Sequence, residues 1–269
     1  MEWKNFFRGL AIGASDIIPG VSGGTIALIL GIYPRLIEAI SLFFTHQWKR
    51  QLAFLLPLVV GIGIAIFSLS NLLEWLLATY PEPTFFFFTG LIAGTIPFLL
   101  KEADYKQQFQ FHHYGLAIFA AVAIILTGII RGEETSAVLT NLAVNDYIFL
   151  FIAGILASAA MILPGISGSF ILVLLGFYET IIRAISTLHF PIIMTVAIGV
   201  VVGIVSMSKL LHRLLKTHRN AIYALMSGLL FGSLFVIFPG IPENLILLVM
   251  SILTLITGLS IAIILGKVE

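Results

Sequence analysis

Long apolar runs alternate with short polar segments along the whole chain. Six of these runs are long enough to cross a hydrocarbon core of about 30 Å as helices of about 20 residues. The six runs are Leu52–Leu77, Phe85–Leu100, His113–Ile130, Ile192–Leu211, Ala221–Phe238 and Leu245–Leu265. The pattern predicts an all-α integral membrane protein in which residues 1–269 form a single membrane domain.

Two further apolar segments are interrupted by the same motif. Pro19–Gly23 returns as Pro164–Gly168, and the residues around the motif match as well. Proline removes a helical hydrogen bond, so each segment is predicted to form two helical arms with a break between them. In the first copy, the arms Trp3–Ile18 and Gly23–Ile32 reach about 24 Å and about 15 Å. Neither crosses a membrane alone, so each motif is predicted to lie in a re-entrant helical hairpin.

The positions of Lys and Arg support these hairpins. With both hairpins re-entrant and the N-terminus in the cytoplasm, twelve of the 14 Lys and Arg residues lie inside, and only Arg131 and Arg183 lie outside. The inside set is Lys4, Arg8, Arg35, Lys49, Arg50, Lys101, Lys106, Lys209, Arg213, Lys216, Arg219 and Lys267. If both segments instead crossed once, eight would lie inside and six outside. The positive-inside rule therefore favours hairpins, with both termini cytoplasmic.

This count also predicts an inverted repeat. Each half, about 1–131 and about 146–269, holds one re-entrant hairpin and three transmembrane helices, so the two halves insert in opposite orientations. The repeat continues beyond the hairpins in Gly90-x3-Gly94 and Gly228-x3-Gly232, a spacing that predicts close helix packing. Opposed hairpins would meet near the membrane midplane, an arrangement that supports alternating access.

Composition narrows the function classes. The chain is 59% hydrophobic and 10% charged, and it contains no cysteine. The missing thiol excludes disulfides and thiolate chemistry. A net charge of +1 gives no basis for a nucleic-acid partner. No metal site and no cofactor are predicted.

The breaks are candidate anion sites. At each break a half-helix begins with Ser and Gly, and its first N–H groups have no intrahelical partner. Such donors suit a phosphate or carboxylate. The candidate binding residues are Ser22, Gly23, Gly24, Thr25, Ser167, Gly168 and Ser169. The alternative is that Pro-Gly only kinks two ordinary spans, whose serines cap locally.

Few charged residues lie near the breaks. Asp16 lies three residues before Pro19, and an ionisable group at that depth usually faces a polar cavity. It is the candidate for proton or sodium coupling, although it could also cap the half-helix that follows the break.

Two acid–base pairs follow the hairpins, with Arg35 and Glu38 after the first and Glu179 and Arg183 after the second. Their spacing places each pair on one helix face. The arginines are candidate contacts for the anion, and the two acids are candidates for coupling. Interfacial salt bridges with snorkelling arginines are the alternative.

The segment Asp16–Thr25, ending in Gly31-Ile32-Tyr33, and its second copy resemble the bacterial polyprenyl-phosphate (undecaprenyl-phosphate) transporters along nearly the whole chain. The resemblance implies a multi-pass protein of the bacterial cytoplasmic membrane, with membrane lipids around it. It also implies that the protein is not an enzyme and that it returns undecaprenyl phosphate from the outer to the inner leaflet for reuse in cell-wall synthesis.

Two other functions remain open from the residues alone. An undecaprenyl-diphosphate phosphatase also uses inverted repeats with Ser-rich re-entrant loops, but neither Pro-Gly loop contains the Arg or His that phosphate hydrolysis needs. A small-anion transporter or channel is the second alternative. The sequence assigns no oligomeric state.

Overall fold

The computed structural model describes residues 2–16, 22–129 and 144–265, and these ranges are helical without any β-strand. The helices before residue 130 are α1 (Lys4–Asp16), α2 (Gly23–Ile29), α3 (Tyr33–Ser41), α4 (Trp48–Thr79), α5 (Pro81–Glu102), α6 (Tyr105–Gln108) and α7 (Phe111–Ile129). Those after residue 143 are α8 (Val144–Ile162), α9 (Gly168–Leu174), α10 (Tyr178–Ser186), α11 (Phe190–Thr217), α12 (Arg219–Ile237) and α13 (Leu245–Leu265).

Seven helices in the described ranges are long and apolar enough to cross a membrane, one more than the sequence predicted. Six of them coincide with the six predicted runs. The seventh, Asn145–Ile162 in α8, was predicted as the first arm of the second hairpin. With 19 residues, α8 extends about 28 Å, whereas the corresponding α1 has 13 residues. The two copies of the motif thus follow helices of unequal length.

Helices stop and restart at both motifs. α1 ends at Asp16 and α2 begins at Gly23, while α8 ends at Ile162 and α9 begins at Gly168. Between α8 and α9, Gly165 has a φ of +85°, a left-handed conformation that glycine adopts without strain. Pro19–Val21, Arg131 and Lys267 lie outside the described residues.

α1 and α4 run side by side in the same direction. At one end, the N–H of Glu2 donates to the carbonyl of Ala53 at 3.4 Å. Further along, a Cβ on Gly9 would collide with the carbonyl of Leu58, and one on Gly13 would lie 2.8 Å from the Cα of Ile62. The chain between the two helices therefore returns to the level at which α1 began.

α8 and α11 form a pair of the same kind. A Cβ on Gly199 would collide with the carbonyl of Phe151, and one on Gly203 would collide with the carbonyl of Ile155. Later residues of α8 therefore meet later residues of α11, so this pair is also parallel. In the sequence repeat, α8 corresponds to α1 and α11 corresponds to α4. The same two helices therefore pair in each half.

The two halves interlock through glycine-lined contacts. Gly90 and Gly94 place α5 against α13, and Gly228 and Gly232 place α12 against α7. A Cβ on Gly90 would collide with the carbonyl of Leu255. The predicted close packing at both Gly-x3-Gly pairs is therefore confirmed, and in each case the partner helix comes from the other half of the chain.

The largest fully buried side chains include Tyr33 of α3, Phe54 of α4, Ile92 of α5, Leu211 of α11 and Leu230 of α12. α5 and α12 are the most buried of the span-length helices. Large apolar side chains on the outside, such as Phe67 and Ile118, are exposed, as expected where the surrounding solvent is lipid.

Candidate functional site

The two broken segments meet at the end of α8. The last carbonyls of a helix have no intrahelical donor, and here two side chains from the first half supply donors. The hydroxyl of Ser22 donates to the carbonyl of Met161 at 3.4 Å. The hydroxyl of Tyr33 donates to the carbonyl of Ile162 at 3.0 Å. The first motif thus caps the helix that precedes the second motif.

Thr25 adds a third hydrogen bond between the motifs. The N–H of Gly165 donates to the Thr25 hydroxyl at 3.1 Å, and the bond is buried. Next to it, a Cβ on Gly24 would lie 3.0 Å from the carbonyl of Ile162. Glycine therefore permits the close approach of α2 to the second break, and Thr25, which is fully buried, joins the two repeats.

Asp16 lies at the end of α1, directly beside the start of α2. Its Oδ1 accepts the N–H of Gly23 at 2.7 Å. A Cβ on Gly23 would lie 2.6 Å from the same oxygen, so a side chain at this position would displace the carboxylate. The carboxylate thus caps the first amide of α2, and capping by Asp16 was the alternative role in the sequence analysis. The N–H of Gly23, one of the predicted donors to an anion, is therefore bonded to Asp16.

Ser22 also caps its own helix, because its hydroxyl accepts the N–H of Gly24 at 3.2 Å. Its counterpart Ser167 makes no such bond to α9. Instead, the hydroxyls of Ser167 and Ser169 lie 2.7 Å apart and bond to each other, and Ser169 is exposed. The two copies of the motif therefore differ: Ser22 is bonded into the fold, whereas Ser167 and Ser169 present accessible hydroxyls.

Gly168 lies at the start of α9, against α8. A Cβ on it would lie 3.0 Å from the carbonyl of Ala157, so the second half-helix begins in close contact with the arm that precedes it.

Arg35 is bonded within the first half. Its guanidinium lies 3.3 Å from the Glu38 carboxylate and 2.7 Å from Oε1 of the buried Gln51, and it stacks over the ring of Phe54 at 4.8 Å. The predicted pair of Arg35 and Glu38 is therefore present as a salt bridge. Gln51 is a partner that no repeated motif signalled in the sequence.

On α10, Glu179 and Arg183 are both exposed. Neither they nor Arg35 line the cavity beside Asp16. The structure thus brings the two motifs together, but it does not place Arg35 or Arg183 in the wall of the cavity beside Asp16.

A cavity of about 310 Å³ lies beside the meeting point of the motifs. Its polar lining comes from Asp16, Gly23, Gly24, Tyr33 and Ser158, and its other walls are apolar. Ser158 and Tyr33 were not predicted as site residues. Tyr33 carried a usable signal, since the repeat places Tyr178 at the equivalent position.

The chain is similar in sequence to a known family and to two named proteins. The family model described as undecaprenyl phosphate translocase-like matches residues 12–247. A polyprenyl-phosphate transporter of Staphylococcus aureus (strain NCTC 8325 / PS 47) is 42% identical over 274 residues, covering 99% of this chain and 97% of that protein. A polyprenyl-phosphate transporter of Vibrio cholerae serotype O1 (strain ATCC 39315 / El Tor Inaba N16961) is 39% identical over 250 residues, covering 88% and 77%.

No solved structure matches the chain significantly. The family match extends over both breaks and all but the last of the span-length helices. The chain therefore belongs to the undecaprenyl phosphate translocase-like family.

Proposed function

We propose that this protein carries polyprenyl phosphate across the bacterial cytoplasmic membrane. The lipid is undecaprenyl phosphate, which moves from the outer to the inner leaflet for reuse in cell-wall polymer synthesis. The observation that carries the proposal is the contact of the two broken segments beside a cavity with a polar end. The names of the two relatives agree with this substrate.

The phosphate binds where the two motifs meet. The hydroxyls of Ser167 and Ser169 are accessible and bond to one another, so they can turn to an anionic oxygen. The N–H of Gly23 is a second donor, which the Asp16 carboxylate holds while no anion is bound. Ser22 and Thr25 support the site, because their hydroxyls fix the two motifs against each other.

Asp16 couples transport to a proton or a sodium ion. An ionised carboxylate at Gly23 repels a phosphate that approaches the same amide. Protonation of Asp16, or a cation bound to it, removes that repulsion and frees the N–H for the substrate. Glu38 and Glu179 lie on the helices that follow the hairpins and contribute to the coupling. Glu38 does so through its salt bridge to Arg35.

Transport follows alternating access between two inverted repeats. The return of the chain to the starting level of α1 supports a re-entrant first hairpin. The matched pairs α1–α4 and α8–α11, and α5–α13 and α12–α7, support the repeat. In this scheme α8 and α9 form the second hairpin, both termini are cytoplasmic, and the two hairpins enter from opposite faces.

The test is transport by a variant in which Ser167→Ala and Ser169→Ala are combined. We expect this variant to move polyprenyl phosphate at least about tenfold more slowly in proteoliposomes, since it loses two hydrogen bonds to a charged group, each of about 1.5–3 kcal/mol. Ser206→Ala is the matched control, because the Ser206 hydroxyl donates to the carbonyls of Val202 and Gly203 in its own helix. Equal rates for the double variant and the control would refute the phosphate site.

A further inference from the structure

A second cavity of about 330 Å³ adjoins the cavity beside Asp16. The two cavities share four wall residues, which are Ile40, Leu55, Val59 and Ile204. Together they form one groove, which we call the α4–α11 groove. One wall comes from α3 and α4 and the other from α11, so the groove lies between the two halves of the chain.

The groove follows one face of α4. The residues that line it, Leu52, Leu55, Val59 and Ile62, recur every three or four positions, as residues on one helix face do. From Leu52 to Ile62 the helix rises about 15 Å. This is about half the thickness of a hydrocarbon core.

The two ends of the groove differ in polarity. At one end lie the Asp16 carboxylate and the backbone of Gly23 and Gly24. At the other end every lining residue is aliphatic or Phe, including Phe43 and Phe44. This apolar end lies one turn of α4 from the exposed basic residues Lys49 and Arg50, which mark the membrane surface.

The direction of polarity along the groove indicates which kind of lipid it can bind. A bilayer phospholipid keeps its head group at the membrane surface and places its chain ends near the midplane. The groove requires the reverse, with a polar head at the deep end and an apolar chain that leads back toward the surface. A lipid whose head group has been drawn into the membrane meets that requirement.

We propose that the α4–α11 groove binds the isoprenoid chain of polyprenyl phosphate next to its phosphate, an inference that rests on the proposed function. Only the first isoprene units lie in the groove, because it is about 15 Å long. The remainder of the chain leaves sideways into lipid, past wall residues that are already exposed there: Val59 by 58%, Val201 by 53% and Phe44 by 66%.

The test fills the groove from each wall and uses the neighbouring residue as control. Val59→Trp and Val201→Trp place a large ring in the groove. Val60→Trp and Val202→Trp place the same ring on the same helices at positions that are 44% and 41% exposed and line neither cavity. We expect the groove variants to transport polyprenyl phosphate about tenfold more slowly, as for overpacking of a fitted contact, and the controls to retain the wild-type rate.

A second readout locates the chain directly. A polyprenyl phosphate with a diazirine in its second isoprene unit should label α4 and α11, and Val59→Trp should suppress that labelling while Val60→Trp leaves it intact. Equal transport by Val59→Trp and Val60→Trp, with normal transport by the wild type, would overturn the groove assignment alone. Labelling of the groove by a diazirine phospholipid in place of the polyprenyl probe would also overturn it. Absence of transport by the wild type would overturn the proposed function, and the groove assignment with it.

Discussion

Thr25→Val tests the contact between the two motifs. Valine has nearly the shape of threonine, so the exchange removes the hydroxyl and leaves the packing of the fully buried side chain in place. The N–H of Gly165 then loses its acceptor in a buried position. A buried donor without a partner costs about 1–3 kcal/mol, and we expect the free energy of unfolding to fall by this amount.

Thr95→Val is the matched control. Thr95 is also a buried helical threonine, but its hydroxyl donates to the carbonyl of Leu91, four residues earlier in α5. That carbonyl keeps its helical N–H partner when the hydroxyl is removed, so we expect a loss below about 1 kcal/mol. The two substitutions delete the same atoms and differ only in whether a second segment depends on the hydroxyl.

The assay is reversible unfolding of the purified protein in mixed micelles, with the transport rate measured on the same preparations. We expect Thr25→Val to lower both stability and transport, because it releases the second break from the first. If Thr25→Val and Thr95→Val have the same stability, the hydrogen bond between the motifs does not hold them together and the reasoning fails.

Two further predictions concern helix packing and coupling. Gly228→Ala drives a Cβ into a backbone carbonyl of α7, so we expect it to lower the free energy of unfolding by about 1–3 kcal/mol; Gly115→Ala, which meets open space, should be neutral or stabilising, and equal stability of the two variants would contradict the packing. Asp16→Asn keeps an acceptor for Gly23 but cannot ionise, so its transport rate relative to wild type should rise with pH in a flipping assay. The exposed Asp104→Asn should keep a constant ratio, and a constant ratio for Asp16→Asn as well would exclude proton coupling there.

Hydrophobic pattern predicted most of the helices, because the length of an apolar run is set by membrane thickness. Each of the six predicted runs falls on one helix of the described residues and extends past that helix by a residue at most. α8 was predicted as a hairpin arm because its motif copies the first one. The polar residues Asn145 and Asp146 lie in the first turn of α8, so the helix extends farther than the apolar residues alone suggest.

The repeated motif predicted that the two breaks would meet, and the structure places them in contact. The sequence did not predict how their roles divide. Ser22 and Thr25 occupy motif positions that read as ligand donors, yet their hydroxyls bond to the other repeat. This assignment depends on which carbonyls and N–H groups lie within reach, which is a property of the tertiary arrangement and leaves no trace in the spacing of residues.

The charged pairs illustrate the same limit. Spacing predicted that Arg35 and Glu38 share a helix face, and they form a salt bridge. The third partner, Gln51, comes from α4, thirteen residues beyond Glu38, with a loop between them. No local sequence pattern connects Arg35 with Gln51. The contact of the guanidinium with α4 therefore could not be predicted without the tertiary structure.

The most direct test of transport uses the purified wild-type chain in liposomes that contain labelled polyprenyl phosphate in one leaflet. We predict protein-dependent appearance of the lipid in the other leaflet, and no release of inorganic phosphate when polyprenyl diphosphate is supplied. Failure of the lipid to cross under any proton or sodium gradient would contradict the account, and release of phosphate would show an enzyme in its place.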